Sequence, residues 1–284
     1  MTLLEVKNVS KRYGKIEALK DVSFVLDKGI YGIIGPNGAG KSTLFKILTT
    51  SIEQSSGEIL YDGKDISKEG ALYRKKIGYM PQQHKSYDHL SAIQFLYYMA
   101  ALKGITKQEA KSQIETLSKR VHLEDVLGRK IGSYSGGMRQ RLMFIQALLG
   151  DPEIVLLDEP TSGLDPYERI VMRNHIFDIA QDKIVLIATH VMQDIEYIAD
   201  ELLLIRGGKL IQKNSSVILL EELNGLVCEK IVKEEELNVF IQSHKIARMT
   251  KTKEGIRVRY ISKEKKEEAL HADLEDLYLH YMCD

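Results

Sequence analysis

The sequence has no excess of charge of either sign. Lysine plus arginine and aspartate plus glutamate number 40 each among 284 residues, so the formal net charge is zero. A protein whose main partner is nucleic acid needs an excess of basic side chains along the phosphate backbone. We therefore expect no nucleic acid among its main partners.

Cysteines are few and long hydrophobic runs are missing. Cys228 and Cys283 have no CxxC spacing, which is typical of a reducing compartment rather than of a disulfide framework. The longest notable apolar run, residues 95–102, is well short of the roughly 18 residues that a membrane helix needs. Glu5 and Lys7 interrupt any signal-like start. The sequence predicts a cytosolic protein that is soluble when isolated.

Proline is scarce, and each proline lies beside a loop in which we place candidate site residues. Such loops need one fixed shape, and proline fixes φ and removes a donor. The five prolines are Pro36, Pro81, Pro152, Pro160 and Pro166. Beyond Asn214 the composition shifts to charged runs that alternate with strand-like segments at 227–232 and 255–261. We predict two units, residues 1–216 and a small C-terminal α+β unit over 217–284 that ends in a helix.

A glycine-rich motif of the form G-x-x-x-x-G-K-[ST] follows the apolar run of residues 29–34. It consists of Gly35, Pro36, Asn37, Gly38, Ala39, Gly40, Lys41, Ser42 and Thr43. Leu44, Ile47 and Leu48 come next at helical spacing, so the context is strand, loop and helix. This context predicts a phosphate-binding loop.

The residue types of this loop suit a nucleoside triphosphate. Gly38 and Gly40 let backbone N–H groups approach a phosphate. Lys41 adds a positive charge, and the Ser42 hydroxyl is placed to bind Mg²⁺. ATP and Mg²⁺ are therefore the expected ligands.

Polar side chains follow other predicted strands. The apolar run 154–157 ends in Asp158 and Glu159, which suit a Mg²⁺ ligand and a group that polarises water. The strand 184–188 ends at Thr189 and His190, and the strand 77–80 is followed by Gln82. An imidazole can donate to a phosphate oxygen. The alternative is that these are solvated strand-end acids and a surface histidine.

Two further features leave alternatives open at this point. Strands at 3–9 and 21–26 flank a predicted polar turn, Lys11–Gly14, in which Tyr13 is either a turn residue or an aromatic platform for a purine. Residues 91–150 have helical periodicity, and we predict a helical insertion over about 86–150. Within it, Ser135, Gly136 and Gly137 form a turn that opens a helix and can hold an anion.

Taken together, these motifs resemble the nucleotide-binding subunit of ATP-binding cassette (ABC) transporters over about residues 1–215. The resemblance implies an α/β fold, a P-loop NTPase core of ABC type with a mixed sheet and an inserted helical subdomain. It also implies a role for each matching residue. Tyr13 stacks on adenine, Gln82 touches Mg²⁺ or the attacking water, Asp158 binds the metal, Glu159 is the catalytic base, Asp165 lies at the dimer interface, and His190 is the switch histidine.

The resemblance also identifies Tyr134–Met138 as the signature sequence, which is usually Leu-Ser-Gly-Gly-Gln. Tyr134 and Met138 depart from it, whereas Ser135 and the two glycines that contact the γ-phosphate are kept. In this family two subunits enclose two ATP molecules, each phosphate loop facing the partner's signature. The implied partners are a second copy of this chain and a membrane permease, so the expected location is the cytoplasmic face of the membrane.

The C-terminal stretch Asp273–Leu279 is similar to the Leu-Glu-Asp-Val-Tyr-Leu ending of drug, antibiotic and peptide exporter ATPases. This similarity favours export. The alternatives are an importer ATPase, which differs mainly in its C-terminal domain, and a non-transport ABC-type ATPase. The family also predicts that the loop from His84 to Leu90, and Tyr87–Leu90 in particular, contacts the permease.

Overall fold

The computed structural model describes residues 3–82, 87–266 and 269–283. Its strands are β1 (Leu4–Tyr13), β2 (Ile16–Leu26), β3 (Gly29–Ile34), β4 (Ser56–Tyr61), β5 (Lys64–Asp65), β6 (Ile77–Met80), β7 (Ile154–Asp158), β8 (Ile184–Ala188), β9 (Glu201–Arg206), β10 (Lys209–Asn214), β11 (Val227–Val232), β12 (Lys245–Lys251) and β13 (Ile256–Ile261).

The α-helices lie between these strands. They are α1 (Lys41–Leu48), α2 (Ile66–Glu69), α3 (Ala71–Lys76), α4 (Ala92–Leu102), α5 (Lys107–Arg120), α6 (Gly136–Leu148), α7 (Pro166–Ile179), α8 (Met192–Glu196), α9 (Ser216–Glu221), α10 (Leu237–Ser243) and α11 (Leu274–Met282).

The central sheet has six strands in the order β10-β9-β3-β8-β7-β6. The strands from β9 to β6 are parallel, and β10 joins the edge as an antiparallel hairpin strand after β9. Because carboxyl ends of parallel strands meet at one edge, the segments after β3, β6, β7 and β8 converge there. The predicted phosphate loop, Gln82, Glu159 and His190 all lie in these segments.

The two faces of the central sheet bury different layers. Alternate residues such as Tyr31 and Ile33 pack with α1 and with an antiparallel sheet of order β2-β1-β4-β5. The intervening residues, such as Ile30 and Ile34, pack with the helices α4 to α7. β7 and β8 are buried on both faces, which explains their continuous apolar sequences.

The predicted helical region is confirmed as three helices that pack on one another, α4, α5 and α6. Ser91 and Thr106 form capping boxes at the starts of α4 and α5. The predicted start of the insertion, residue 86, lies outside the described residues. β9 and β10 form a hairpin, with Gly207 and Gly208 at φ 57° and 81° in its turn.

One prediction about local structure was wrong, and one strand was not predicted. Lys11–Gly14 is not a turn, because β1 pairs with β2 as far as Tyr13 and Ile16. Gly14, at φ 58°, begins the actual turn. The strand that was not predicted is β12. It forms one edge of the sheet β11-β13-β12. Its exposed half is mostly polar, so the sequence there lacks the alternation of apolar and polar residues that is typical of a strand.

The C-terminal elements lie against the rest of the chain. The helix predicted over 273–282 is confirmed as α11, which packs against α8, α9, β12 and β13. Its residues Leu274 and Leu277 belong to the same buried cluster as Ile195 of α8. The proposed division at residue 216 falls at the start of α9 and stays a prediction.

Candidate nucleotide-binding and catalytic site

The phosphate-loop backbone is shaped to face an anion. Gly38 and Gly40 have φ angles of 80° and 108°, which L side chains rarely adopt. Gly40 is the N-cap of α1, and no side chain caps the first turn of this helix. The N–H groups of that turn, together with the positive end of the helix, can therefore bind phosphate.

Surrounding elements fix the shape of this loop. A Cβ on Gly35 would lie 2.2 Å from the carbonyl oxygen of Ile205, and one on Gly40 would lie 2.6 Å from that of Ala18. The N–H of Gly208, in the β9–β10 turn, donates to the Ala39 carbonyl at 3.1 Å. The loop is therefore held by close backbone packing against β2 and the β9–β10 hairpin.

Lys41 lies near the carboxylates of Glu159 and Asp158. The Lys41 ammonium donates to the backbone carbonyls of Gly35 and Pro36. Burial lowers the pKa of Lys41, and the carboxylates of Glu159 and Asp158 act in the opposite direction. Both carboxylates therefore lie close enough to Lys41 to interact with its charge.

Asp158 lies in an environment that disfavours the ionised form of its carboxyl group. Its side chain is buried at the end of β7, and burial together with the neighbouring Glu159 raises its pKa to about 6. Lys41 and a hydrogen bond from Ser42 offset part of this increase. A buried carboxyl beside a serine hydroxyl suits a divalent cation, because the cation's charge would favour the ionised form.

These oxygen ligands fit Mg²⁺ better than a metal that requires a complete protein cage. Mg²⁺ is usually bound by one or two protein groups together with substrate phosphates and water. Across residues 3–82, 87–266 and 269–283, no group of three or more His, Cys, Asp or Glu side chains could hold a metal ion. Ser42 and Asp158 are oxygen ligands of the kind that Mg²⁺ takes, and their predicted role in holding it, with Gln82, stays a proposal.

Glu159 is oriented by the end of the adjacent strand β8. Its backbone has φ 54°, outside the usual range of an L residue, and its N–H donates to the Ala188 carbonyl at 2.7 Å. Its Oε2 atom accepts from Thr189 Oγ1 at 3.2 Å and from the His190 N–H at 3.4 Å. His190 Nδ1 lies 2.8 Å from the same oxygen. The carboxylate is therefore fixed beside His190.

Thr189 and Asp194 are site residues that the sequence interpretation missed. Thr189 directly precedes His190 at a strand end, and this position could have identified it. Asp194 is buried in α8, where it accepts a hydrogen bond from Thr161, and burial raises the pKa of its carboxyl. No sequence signal connects it to Thr161. The pair ties the loop after Glu159 to the helix after His190.

Gln82, Glu159 and His190 line one cleft of about 820 Å³ with the start of the phosphate loop. The cleft therefore brings together segments that follow four strands, β3, β6, β7 and β8. Of the phosphate loop, only Gly35, Pro36 and Asn37 are among its described lining residues. Residues of the C-terminal unit, including Tyr278 and Leu279, line the same cleft. The sequence interpretation did not place this unit near the site.

The signature turn is separate from this cleft. Among the described residues that line the cleft, none comes from 135–137. Ser135 caps α6 by accepting from the Met138 N–H at 3.2 Å. A Cβ on Gly136 would lie 3.7 Å from the carbonyl oxygen of Gly163. The turn therefore faces the loop before α7, whose N-cap is the exposed Asp165.

Tyr13 is also separate from the cleft. It lies at the end of β1 with 45% of its surface exposed. Lys11 Nζ lies 5.4 Å from the centroid of its ring. The ring is exposed enough to stack on a purine, and its predicted role in binding adenine stays a proposal.

The central parallel sheet and the glycine-rich loop at the start of α1 define a P-loop NTPase. Comparison with known proteins gives the family. A family model described as ABC transporter matches residues 19–162. The chain is 34% identical to the ABC transporter ATP-binding protein NatA of Bacillus subtilis, over 77% of this chain and 92% of that protein.

Two more similarities agree with this result. The chain is 33% identical to the Nod factor export ATP-binding protein I of Burkholderia orbicola, over 77% of this chain and 72% of that protein. A solved structure of the ATP-binding subunit of an ABC transporter superposes with a TM-score of 0.71 and 29% identity, covering 78% of this chain and 93% of that one.

The chain belongs to the ABC transporter family, in which it is an ATP-binding subunit that hydrolyses ATP. Its α/β fold of P-loop NTPase type is as predicted. Within the described parts of the chain, no helix is long and apolar enough to cross a membrane.

Proposed function

We propose that this chain hydrolyses ATP as a Mg²⁺-dependent homodimer and thereby powers export of a drug, antibiotic or peptide-like substrate through a separate membrane permease. The observation that carries the proposal is the fixed position of Glu159 beside Thr189 and His190 in the cleft that the phosphate loop also lines. The subunit would lie at the cytoplasmic face of the membrane.

The chemistry is assigned to groups of this chain. The N–H groups at the start of α1 and the Lys41 ammonium bind the phosphates. Glu159 accepts a proton from the attacking water, and His190 donates to a γ-phosphate oxygen. Ser42, Asp158 and Gln82 would hold Mg²⁺, which supplies positive charge against the phosphate oxygens when bound. The adenine stacks on Tyr13.

The position of the signature turn supports a dimer. Ser135, Gly136 and Gly137 do not line the cleft that their own phosphate loop lines. In a head-to-tail dimer, this turn and Asp165 of one copy would face the phosphates bound by the other. The chain supplies both halves of such a site, so two copies are sufficient.

The main test is Glu159→Gln. This variant keeps the shape of the side chain and removes the base, so we expect ATP turnover to fall by about 10²-fold or more while ATP binding persists. With ATP and Mg²⁺ the variant should elute as a dimer in size-exclusion chromatography. Lys41→Ala should instead lose ATP-induced thermal stabilisation and remain monomeric.

Glu153→Gln is the matched control, because Glu153 immediately precedes the amino end of the same strand, β7. It should hydrolyse ATP at the parent rate. A Glu159→Gln variant that turns over ATP as fast as the parent would remove Glu159 from the role of base.

Direction of transport is the finer part of the proposal. It is supported by the likeness of Asp273–Leu279 to exporter subunits and by the relative whose name includes Nod factor export. The neighbouring reading frames test it. A permease gene without a gene for a solute-binding protein supports export, whereas a solute-binding protein alongside would support the importer alternative.

The loop that leads into α4 is proposed as the contact with the permease. Its first residues, 83–86, lie outside the described residues. Tyr87 is partly exposed and packs on Phe95 with ring centroids 5.1 Å apart. Asp88 binds Arg139 of α6 at 3.0 Å. The described part of this loop is therefore joined directly to the signature helix α6.

Reconstitution with the permease tests this contact. Tyr87→Glu should leave the ATPase rate of the isolated subunit unchanged and reduce both stimulation by the permease and transport. Tyr167→Glu is the comparison, at a tyrosine of α7 that is 74% exposed against 37% for Tyr87. If Tyr87→Glu has no effect on either, the loop is not the contact.

A further inference from the structure

Helix α11 stands between the C-terminal sheet and the catalytic edge of the central sheet. On one side it packs on β12 and β13, and on the other it packs on α8. Ile195 of α8 is fully buried in one cluster with Leu274 and Leu277 of α11. Since α8 begins two residues after His190, α11 contacts the element that directly follows the proposed switch residue.

The position of α11 on the C-terminal sheet is fixed by a buried ion pair. Asp276 is completely buried and accepts from Arg259 of β13, at 3.2 Å from Nε to each carboxylate oxygen. The same carboxylate accepts the Asp273 N–H at 2.9 Å and closes a capping box at the start of α11. Arg259 also donates to the His271 carbonyl at 2.7 Å. One residue pair therefore sets both the start and the docking of the helix.

The segment after His190 contains the short helix α8. This helix has five residues and no side-chain cap at its start. Among the described residues, the segment is also held by hydrogen bonds from Thr161 to Asp194, from Arg173 to the Gln193 carbonyl at 2.9 Å and from the Val191 N–H to Thr189 Oγ1 at 3.0 Å. A helix this short is not stable alone, so its position depends on what packs against it.

The cleft shows where α11 reaches the site. Tyr278 and Leu279 of α11 line it together with Met192 and Gln193 of the switch segment. Glu159 and His190 lie in the same cleft. The C-terminal unit therefore forms one wall of the space in which hydrolysis is proposed to occur.

We infer that α11 is a positioning element for hydrolysis. The Asp276–Arg259 pair holds α11 on β13, the cluster of Leu274, Leu277 and Ile195 joins α11 to α8, and α8 in turn holds His190 beside Glu159. The C-terminal unit thereby sets the turnover rate and leaves the affinity of the phosphate loop for nucleotide unchanged. This inference rests on the proposed role of His190. It assigns to the C-terminal unit a function in the catalytic step.

Two variants test the inference. Asp276→Asn removes the charge that binds Arg259, and Tyr278→Ala removes a half-buried cleft wall without leaving a buried charge unpaired. Below the melting temperature, kcat for ATP should fall about ten-fold or more in Asp276→Asn and less in Tyr278→Ala. The ADP dissociation constant, measured by calorimetry, should not change. Hydrogen exchange in residues 189–196 should become faster in Asp276→Asn, whereas exchange in 41–48 should not.

Arg257→Gln is the matched control, because Arg257 lies on the same strand and pairs with the exposed Glu229 at 3.2 Å. It should keep the parent kcat. An unchanged kcat in both Asp276→Asn and Tyr278→Ala would overturn the inference, as would equal acceleration of exchange in 41–48 and 189–196. His190→Ala distinguishes this failure from that of the proposed function. If His190→Ala keeps the parent rate, the role of His190 itself is wrong.

Discussion

The phosphate loop and the signature turn both use glycines to open a helix, α1 in one case and α6 in the other. The protein surrounds the two turns differently. A Cβ on Gly35 would meet the Ile205 carbonyl oxygen at 2.2 Å, and Gly40 has φ 108°. At Gly136 the nearest such contact is 3.7 Å, and its φ lies outside the left-handed region. The fold requires the first set of glycines and tolerates a side chain at Gly136.

The starts of α1 and α6 also differ in whether a side chain caps them. Ser135 caps α6 by accepting the Met138 N–H at 3.2 Å, whereas the first turn of α1 has no side-chain cap. The uncapped turn can bind phosphate within one chain. The capped turn is complete in its own chain, so a requirement for Gly136 would have to arise from a surface that approaches it. That surface is the second copy's nucleotide in our proposal.

The largest effect on stability is expected from Gly35→Ala. Its Cβ would force the loop away from the β9 backbone, which we expect to lower the free energy of unfolding by about 3 kcal/mol. ATP binding should be lost with it. Urea unfolding measures the change, and Gly128→Ala, where nothing lies within 4 Å of the added Cβ, is the control. A Gly35→Ala protein as stable as the parent would show that the fold does not require glycine at this position.

A smaller effect of opposite sign is expected from Asp158→Asn. Folding raises the pKa of Asp158 to about 6, above the value of about 3.9 in an unfolded chain. Ionisation therefore destabilises the fold, and this cost is absent below about pH 4, grows as the pH rises to about 6, and then stays constant. Without nucleotide and Mg²⁺, the variant should melt about 2 °C or more above the parent at pH 7 and have lost ATPase activity.

The pH series gives this prediction its control. The difference in melting temperature between Asp158→Asn and the parent should shrink as the pH is lowered from 7 towards 4, provided that both remain folded. A difference that is constant over this range would show that the carboxyl is not the source of the cost.

The smallest effect on stability is expected from Gly136→Ala, with a change within about 0.5 kcal/mol, because the added methyl makes only an ordinary van der Waals contact, 3.7 Å from the Gly163 carbonyl oxygen, and alanine favours helix. Its ATP hydrolysis should nevertheless fall strongly, since the methyl would stand where the partner's γ-phosphate is proposed to lie. Urea unfolding and steady-state ATPase assays separate the two quantities. Full activity in this variant would contradict the proposed role of Gly136 in the dimer.

The regular elements with strong periodicity were predictable from the sequence. β7 and β8 are buried on both faces and read as continuous apolar runs, and the helix at 273–282 has its apolar spacing and an aspartate N-cap. The edge strand β12 was not predictable, because its residues 248–251 are exposed, three of the four are polar, and the strand is ordered by pairing with β13. Tyr13 was misplaced for the same reason, since pairing with Ile16 extends β1.

The local chemistry could be predicted from residue types and spacing: a loop of the form G-x-x-x-x-G-K-S at a helix start, and acids and a histidine at strand ends. These follow from residue type and spacing within a few positions. Only the tertiary structure decided that Thr189 and His190 engage Glu159, that Asp194 binds Thr161, and that α11 forms a wall of the cleft. Such contacts join residues far apart in the chain, and they exist because parallel strands end at one edge and because buried apolar faces have to be covered by whichever element packs there.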